Sequence, residues 1–215
     1  MRRGVIVAGT DTGIGKTVAA AALALHLDAD YWKPIQAGLD GETDRETVMR
    51  LAGLDDRRAH NETYRLRTPA SPHRAAELDS IDIDATSIVV PSTERPLVIE
   101  LAGGLLVPIT RTLLQIDMIG PWRLPVILVA STRLGTINHT LLSAEALRAR
   151  GIAIAGILFV GEENADTQQI IPSLARVAML GRLPHLDPLD ARNLDDASRA
   201  HLDLAPLLDL WEHAI

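Results

Sequence analysis

The sequence has no cysteine, which excludes disulfide frameworks, thiolate zinc sites, iron–sulfur clusters and cysteine nucleophiles and suits a reducing compartment. Aromatic residues are nearly as scarce, with three Trp, two Tyr and one Phe, so there is little from which to build a base-stacking platform. An excess of positive charge is missing as well. With 21 Lys and Arg against 28 Asp and Glu, the formal net charge is −7, the opposite of the clustered basic face of a nucleic-acid binder. Long apolar runs are absent too: Val5 to Ala8, behind Met1, Arg2 and Arg3, is too brief for a signal peptide and meets Asp11 almost at once. Ile152 to Val160 falls well short of the roughly 20 residues of a membrane-spanning helix. The expectation is a cytoplasmic protein without nucleic-acid or membrane partners, holding any phosphate by local means.

What is present is a chain of 215 residues, 47% of them hydrophobic, expected to form one domain over residues 1–215. Near-continuous Val/Ile/Leu runs at Gly4 to Ala8, Asp30 to Ile35, Leu97 to Leu101, Pro125 to Ala130, Ile152 to Val160 and Val177 to Leu180 read as strands covered on both faces. Between them lie helical patterns at Lys16 to Leu27, Asp44 to Ala52, Asn138 to Arg150, Asp166 to Arg176 and Asp203 to His213, with Asn138 and Asp203 as candidate caps. This alternation predicts an α/β fold, a parallel sheet with right-handed crossovers flanked by helices on both faces, which the glycine-rich motif at residues 9–17 makes P-loop NTPase-like. The stretch Arg57 to Ser80, with Pro69 and Pro72, breaks the rhythm and reads as a long functional loop or excursion.

The sharpest motif is Gly9-Thr10-Asp11-Thr12-Gly13-Ile14-Gly15-Lys16-Thr17, directly after the first strand and opening the first helix. Its glycines let backbone N–H groups turn toward a phosphate, the helix N-terminus adds partial positive charge, and Lys16 reaches the β/γ oxygens while Thr17 is placed for Mg²⁺. Five residues rather than four separate Gly9 from Gly15-Lys16-Thr17. A carboxylate at the end of a neighbouring strand completes such a site, and Leu97-Val98-Ile99-Glu100 offers one, followed by the close-approach loop Ala102-Gly103-Gly104. Asp44 is a metal candidate or an ordinary first-turn residue of the second helix. Lys33, in Lys33-Pro34-Ile35-Gln36-Ala37-Gly38, is a ligand-side lysine at a carboxyl strand edge or a plain surface charge.

Together these blocks, with Thr43-Asp44, Ser71-Pro72-His73, Leu124 to Val129 and Leu134-Gly135-Thr136-Ile137-Asn138-His139, resemble the dethiobiotin synthetases over nearly the whole chain. The resemblance implies an ATP- and Mg²⁺-dependent ligase of biotin biosynthesis. Such an enzyme captures carbon dioxide on 7,8-diaminononanoate as a carbamate, passes through a carbamic–phosphoric anhydride and closes the cyclic urea, releasing ADP and phosphate. It further implies catalytic Lys33 and Lys16, and magnesium held by Thr17, Asp44 and Glu100. Diamine contacts fall to Thr12, Lys33, Ala37 and Gly38. Nucleotide contacts fall to Thr12, Gly13, Ile14, Gly15, Lys16, Thr17, Val18, Asp44, Glu100, Ala102, Gly103, Val160, Gly161, Pro184, His185 and Leu186.

The chain departs from the family pattern at three places. Ala37 replaces a Ser or Thr that contacts substrate, leaving the backbone of Gly38 as a substitute; Leu101 replaces a glycine; and Val160-Gly161 replaces an Asn-Asp pair that reads adenine, with Glu162, Glu163 and Asn164 nearby. The family is homodimeric, and the helix from Asn138 is either an interface element or a sheet-packing one. His139 reads as structural or interfacial, and Ser71 to Arg74 as a substrate-facing loop or a plain one. Two alternatives stay open: a partitioning-type P-loop ATPase, although Thr10-Asp11 stands where such proteins place an extra lysine, and an amine-carboxylating synthetase with another substrate.

Overall fold

The structure, a computed structural model, describes residues 3–213. Seven parallel strands form its central sheet: β1 (Gly4–Gly9), β2 (Asp30–Trp32), β4 (Ala59–His60), β6 (Leu97–Gly104), β7 (Val126–Ser131), β8 (Ile154–Val160) and β9 (Met179–Leu183). Their order is β4-β2-β6-β1-β7-β8-β9, so β1 lies near the centre, between β6 and β7. Alternate residues of each strand serve opposite faces. Val5 and Val7 join one apolar layer with Tyr31, Val98, Val129 and Leu158, under α1 (Lys16–His26), α2 (Asp44–Ala52), α7 (Ala191–His201) and α8 (Ala205–His213). Ile6 and Ala8 join the other with Trp32, Ile99, Leu128 and Phe159, under α3 (Pro72–Asp79), α4 (Gln115–Ile119), α5 (Thr136–Arg148) and α6 (Ala165–Ala175). In α1 the run Ala19 to Ala22 is wholly buried, small side chains letting the helix lie close to the sheet.

The α/β architecture with helices on both faces is as expected from sequence, and several local readings change. The strand expected over Asp30 to Ile35 ends at Trp32. Pro34 has no N–H for a ladder, and its carbonyl instead accepts from Thr63 (2.9 Å) and Tyr64 (3.1 Å), starting a separate parallel pair of β3 (Ile35–Ala37) with β5 (Tyr64–Leu66). The stretch Arg57 to Ser80 is therefore not one long loop: it carries β4, β5 and α3, which opens with Pro72 in its first turn. Helix α5 starts at Thr136 with Gly135 in the left-handed conformation as its cap, so Asn138 lies inside the helix. The ninth strand lies two to three residues later than expected, and α4 and α7 were not foreseen. Asp203 stands one residue before the cap position of α8, which Leu204 takes with its carbonyl accepting from Leu208 N (3.1 Å); the Asp203 carboxylate instead accepts from Ala205 N at 3.0 Å.

Candidate active site

Strand order reverses around β1, and an open parallel sheet binds ligands at the carboxyl ends of its strands at such a point. The loop after β1 lies there. Gly13 and Gly15 take positive φ (69° and 93°), which glycine adopts without strain, and a Cβ on Gly15 would stand 2.7 Å from Val160 Cγ1. No side chain caps the N-terminus of α1, so its first-turn N–H groups and partial positive charge are directed at the loop. Lys16 folds back over the loop and donates to Asp11 O at 2.8 Å. Burial lowers its pKa, the charge of Glu100 opposing and that of Lys33 reinforcing the shift.

On one side of the loop four residues from four segments converge. Lys33 Nζ, at the end of β2, forms ion pairs with Asp44 and, at 3.1 Å, with Glu100 Oε1. Thr17 Oγ1 lies 2.7 Å from Asp44 Oδ1 and 2.9 Å from Glu100 Oε1, its single proton serving one of them at a time. Asp44 is set by a capping box, in which Thr43 and Glu46 satisfy each other at the start of α2. Burial alone would depress the Lys33 pKa, yet the charges of Glu100 and Asp44 and their hydrogen bonds outweigh it and hold the ammonium above its ordinary value. Asp44 is the converse case: burial pushes its pKa up, and Lys33, then Thr17, bring it below the ordinary value.

These groups line a cleft of about 640 Å³ that continues along Ala37, Pro69, Ala70, Ser71, Pro72 and Val107. A second cleft, about 540 Å³, opens on the far side of the loop, walled by Ser131 to Leu134, Val160, Gly161, Pro184, His185 and Leu186. Thr12, Gly13, Ile14, Gly15 and Val18 belong to both.

Residues 3–193 match a family model described as an AAA domain. The ATP-dependent dethiobiotin synthetase BioD of Nitrobacter hamburgensis is 60% identical over 90% of this chain and 91% of its own. That of Rhodopseudomonas palustris strain BisB5 is 57% identical over 95% and 96%, and that of Brucella anthropi 56% identical over 95% and 96%. The chain belongs to the dethiobiotin synthetase family. Among solved structures, the septum site-determining protein MinD of Pyrococcus horikoshii, complexed with Mg-ADP, superposes with a TM-score of 0.58 at 13% identity over 100% of this chain and 98% of that one. A putative plasmid partition protein of Borrelia burgdorferi, bound to AMPPNP, gives 0.58 at 12% identity over all of both chains. Such distant likeness establishes the P-loop NTPase fold; the synthetase relatives carry the family.

With the dethiobiotin synthetase pattern in hand, the placement of each expected residue is plain. Lys16, Lys33, Thr17, Asp44, Glu100, Ala37, Ala102 and Gly103 line the first cleft, and Val160, Gly161, Pro184, His185 and Leu186 the second. Gly38 lines neither: its N–H donates to Leu66 O (3.0 Å) and its carbonyl accepts from Gln36 (3.1 Å), so its backbone groups are already engaged. Leu101 is buried in the core, and Ala102 to Gly104, expected as a loop, instead continue β6 and are held by Gln115. That side chain accepts from Ala102 N (3.1 Å) and donates to Ala102 O and Gly104 O (both 3.0 Å). Sequence reasoning missed Gln115 and also Tyr31, whose hydroxyl donates to Glu100 Oε2 at 2.8 Å. Tyr31 had a signal, since it stands two residues before Lys33 and shares its side of the strand. Ser71 lines the first cleft and lies 3.1 Å from His73 Nδ1, whereas His139 lines the second.

The donors Thr17, Asp44 and Glu100 are all hard oxygens, two carboxylates and a hydroxyl beside a phosphate loop. That set fits magnesium, which takes one or two carboxylates and completes its shell with water and substrate phosphates.

Proposed function

We propose that this chain catalyses the ATP-dependent closure of the cyclic urea of dethiobiotin from 7,8-diaminononanoate and carbon dioxide, with release of ADP and phosphate. The observation that carries the reading is the meeting of Lys33, Thr17, Asp44 and Glu100 where the phosphate loop borders a largely apolar cleft. The nucleotide lies across the loop, its base against Val160, Gly161, Pro184, His185 and Leu186 and its phosphates on the N–H groups of Gly13 to Val18 under Lys16. The diamine lies in the cleft beyond, its amines near Thr12 and Lys33 and its chain along Ala37, Pro69 and Val107. Thr17, Asp44 and Glu100 hold magnesium, which when bound neutralises phosphate charge.

The two lysines then divide the work. A carbamate oxygen attacking the γ-phosphate brings two anions together, and Lys33 and Lys16, already held at the site by their neighbours, stabilise the charge that develops. The second amine closes on the carbamic–phosphoric anhydride and expels phosphate. The partitioning alternative is not favoured, because proteins of that kind share only the fold, at 12–13% identity. We further propose a cytoplasmic homodimer of single-domain subunits. Leu134 and Leu142, on and beside α5, are exposed, as is Leu106 across a groove lined by Thr10 to Thr12, an apolar surface that suits a second copy. No helix among the described residues is long and apolar enough to cross a membrane.

Incubation with ATP, Mg²⁺, bicarbonate and the diamine is expected to give the ureido product by mass, one phosphate per product. Phosphate without product, or neither, would overturn the reading.

A further inference from the structure

Tyr31 stands behind the site, lining neither cleft. It is fully buried in the apolar layer beneath α1, and its hydroxyl donates to Glu100 Oε2 at 2.8 Å. The sheet dictates the pairing. Tyr31 is in register with Val98, and Glu100, two residues further along β6, points to the same face. The two oxygens of one carboxylate are thereby divided: Oε2 faces back to the phenol, and Oε1 faces forward to Thr17 (2.9 Å) and Lys33 (3.1 Å). A carboxylate without such an anchor turns about a broad, roughly two-fold terminal torsion and can present both oxygens at once.

We propose that Tyr31 is a positioning residue that makes Glu100 a one-oxygen ligand, so that the site favours magnesium over calcium. The inference rests on the reading of Glu100 as a metal-holding residue. Calcium accepts a carboxylate through both oxygens in loose, high-coordination shells, whereas magnesium demands near-octahedral geometry at short distance. A phenol that occupies Oε2 therefore penalises the chelating mode calcium would use and leaves the single-oxygen mode intact. Groups behind metal ligands commonly carry 10- to 100-fold of metal affinity.

The test is Tyr31→Phe, which keeps the ring and removes only the hydroxyl. Mn²⁺ is titrated into the ADP-saturated protein and free Mn²⁺ is followed by electron paramagnetic resonance, with Mg²⁺ and Ca²⁺ as competitors. We expect Mn²⁺ and Mg²⁺ to bind about 10-fold more weakly and Ca²⁺ unchanged or tighter, a shift in ratio that a loss of packing would not produce. Incorporation of 3-fluorotyrosine at position 31, a stronger donor with the ring retained, should move the ratio the other way and serves if the Phe variant does not fold. Metal ratios within about twofold of the unsubstituted protein, while Glu100→Gln weakens Mn²⁺ about 10-fold or more, overturn the inference alone. Unchanged Mn²⁺ binding in Glu100→Gln overturns the reading of Glu100 itself.

Discussion

Replacing Lys33 by Met keeps an unbranched apolar stem, one atom shorter, and removes its charge. Lys33 is only 4% exposed, and its partner Glu100, whose Oε1 lies 3.1 Å from the ammonium, only 1%. Deleting one member of a buried ion pair costs about 3–5 kcal/mol, because the other charge is left without compensation. The lower end applies here. Asp44 has a side chain 32% exposed and is partly screened, and the hydroxyls of Thr17 and Tyr31 still face Glu100. A loss of about 3 kcal/mol corresponds to a fall in Tm of about 6–12 °C for a chain of this size. The two carboxylates, freed of their ammonium, then bind a divalent cation more tightly than the unsubstituted protein does. Free Mg²⁺ at about 100 times its Kd returns about 2.7 kcal/mol, close to the whole loss. Turnover is expected to behave differently: under the proposed mechanism it falls by more than about 100-fold and Mg²⁺ does not bring it back, since the missing charge is the one that faces the carbamate and the transferring phosphoryl group. Scanning calorimetry with and without Mg²⁺, beside a coupled phosphate assay, separates the two effects. A variant whose Tm stays within about 1 °C of the parent, or whose Tm responds to Mg²⁺ no more than the parent's does, would refute the reasoning.

Three further outcomes are expected. Gln115→Met is close to isosteric yet leaves Ala102 N and Ala102 O without their partner, while Gly104 O keeps the N–H of Val107 (3.3 Å); at about 1 kcal/mol for each half-buried orphaned group, urea unfolding should show a loss of about 2 kcal/mol. Gly15→Ala meets both a φ of 93° and Val160 Cγ1 at 2.7 Å, so nucleotide binding measured by calorimetry should fall below detection even where the fold survives. The pH dependence follows from the directions of the shifts. The pKa of Asp44 is depressed, so its contribution is complete above its ordinary 3.8 and is lost as pH falls through the folded value. The pKa of Lys33 is raised, so its contribution is complete below its ordinary 10.5 and is lost as pH rises through the folded value. The difference in Tm between Lys33→Met and the parent should therefore be flat from about pH 6 to pH 9 and shrink below about pH 4; a slope inside that window would show another group to be involved.

Much of this was legible in the sequence because the features are local. The phosphate loop announces itself by glycines at the junction of an apolar run and a helix, and Glu100 as the one charge set in the apolar run Leu97 to Leu101, although the strand itself runs on to Gly104. The stretch Arg57 to Ser80 was illegible because β4 and β5, of two and three residues, are shorter than any periodicity can register, and they form only against chain distant in sequence. Helix α7 hides for another reason: its buried residues are only Leu194 and Ser198, so composition does not set it apart from a polar loop. Spacing places Tyr31 on the Lys33 side of its strand but does not give its partner Glu100, 69 residues away, and Gln115, paired across 13 residues, carries no such signal. The break at Pro34 could have been anticipated, since a proline cannot donate to the ladder.

The two clefts touch only along Thr12 to Gly15 and Val18. On the proposed placement of nucleotide and diamine, residues that select the base and residues that select the diamine lie on opposite sides of a five-residue ridge, free to drift separately as long as the ridge is kept. The same partition sets the shape of any compound meant to occupy both clefts: it must arch over Gly13, where a Cβ would find no atom within 4 Å and a linker has room to pass.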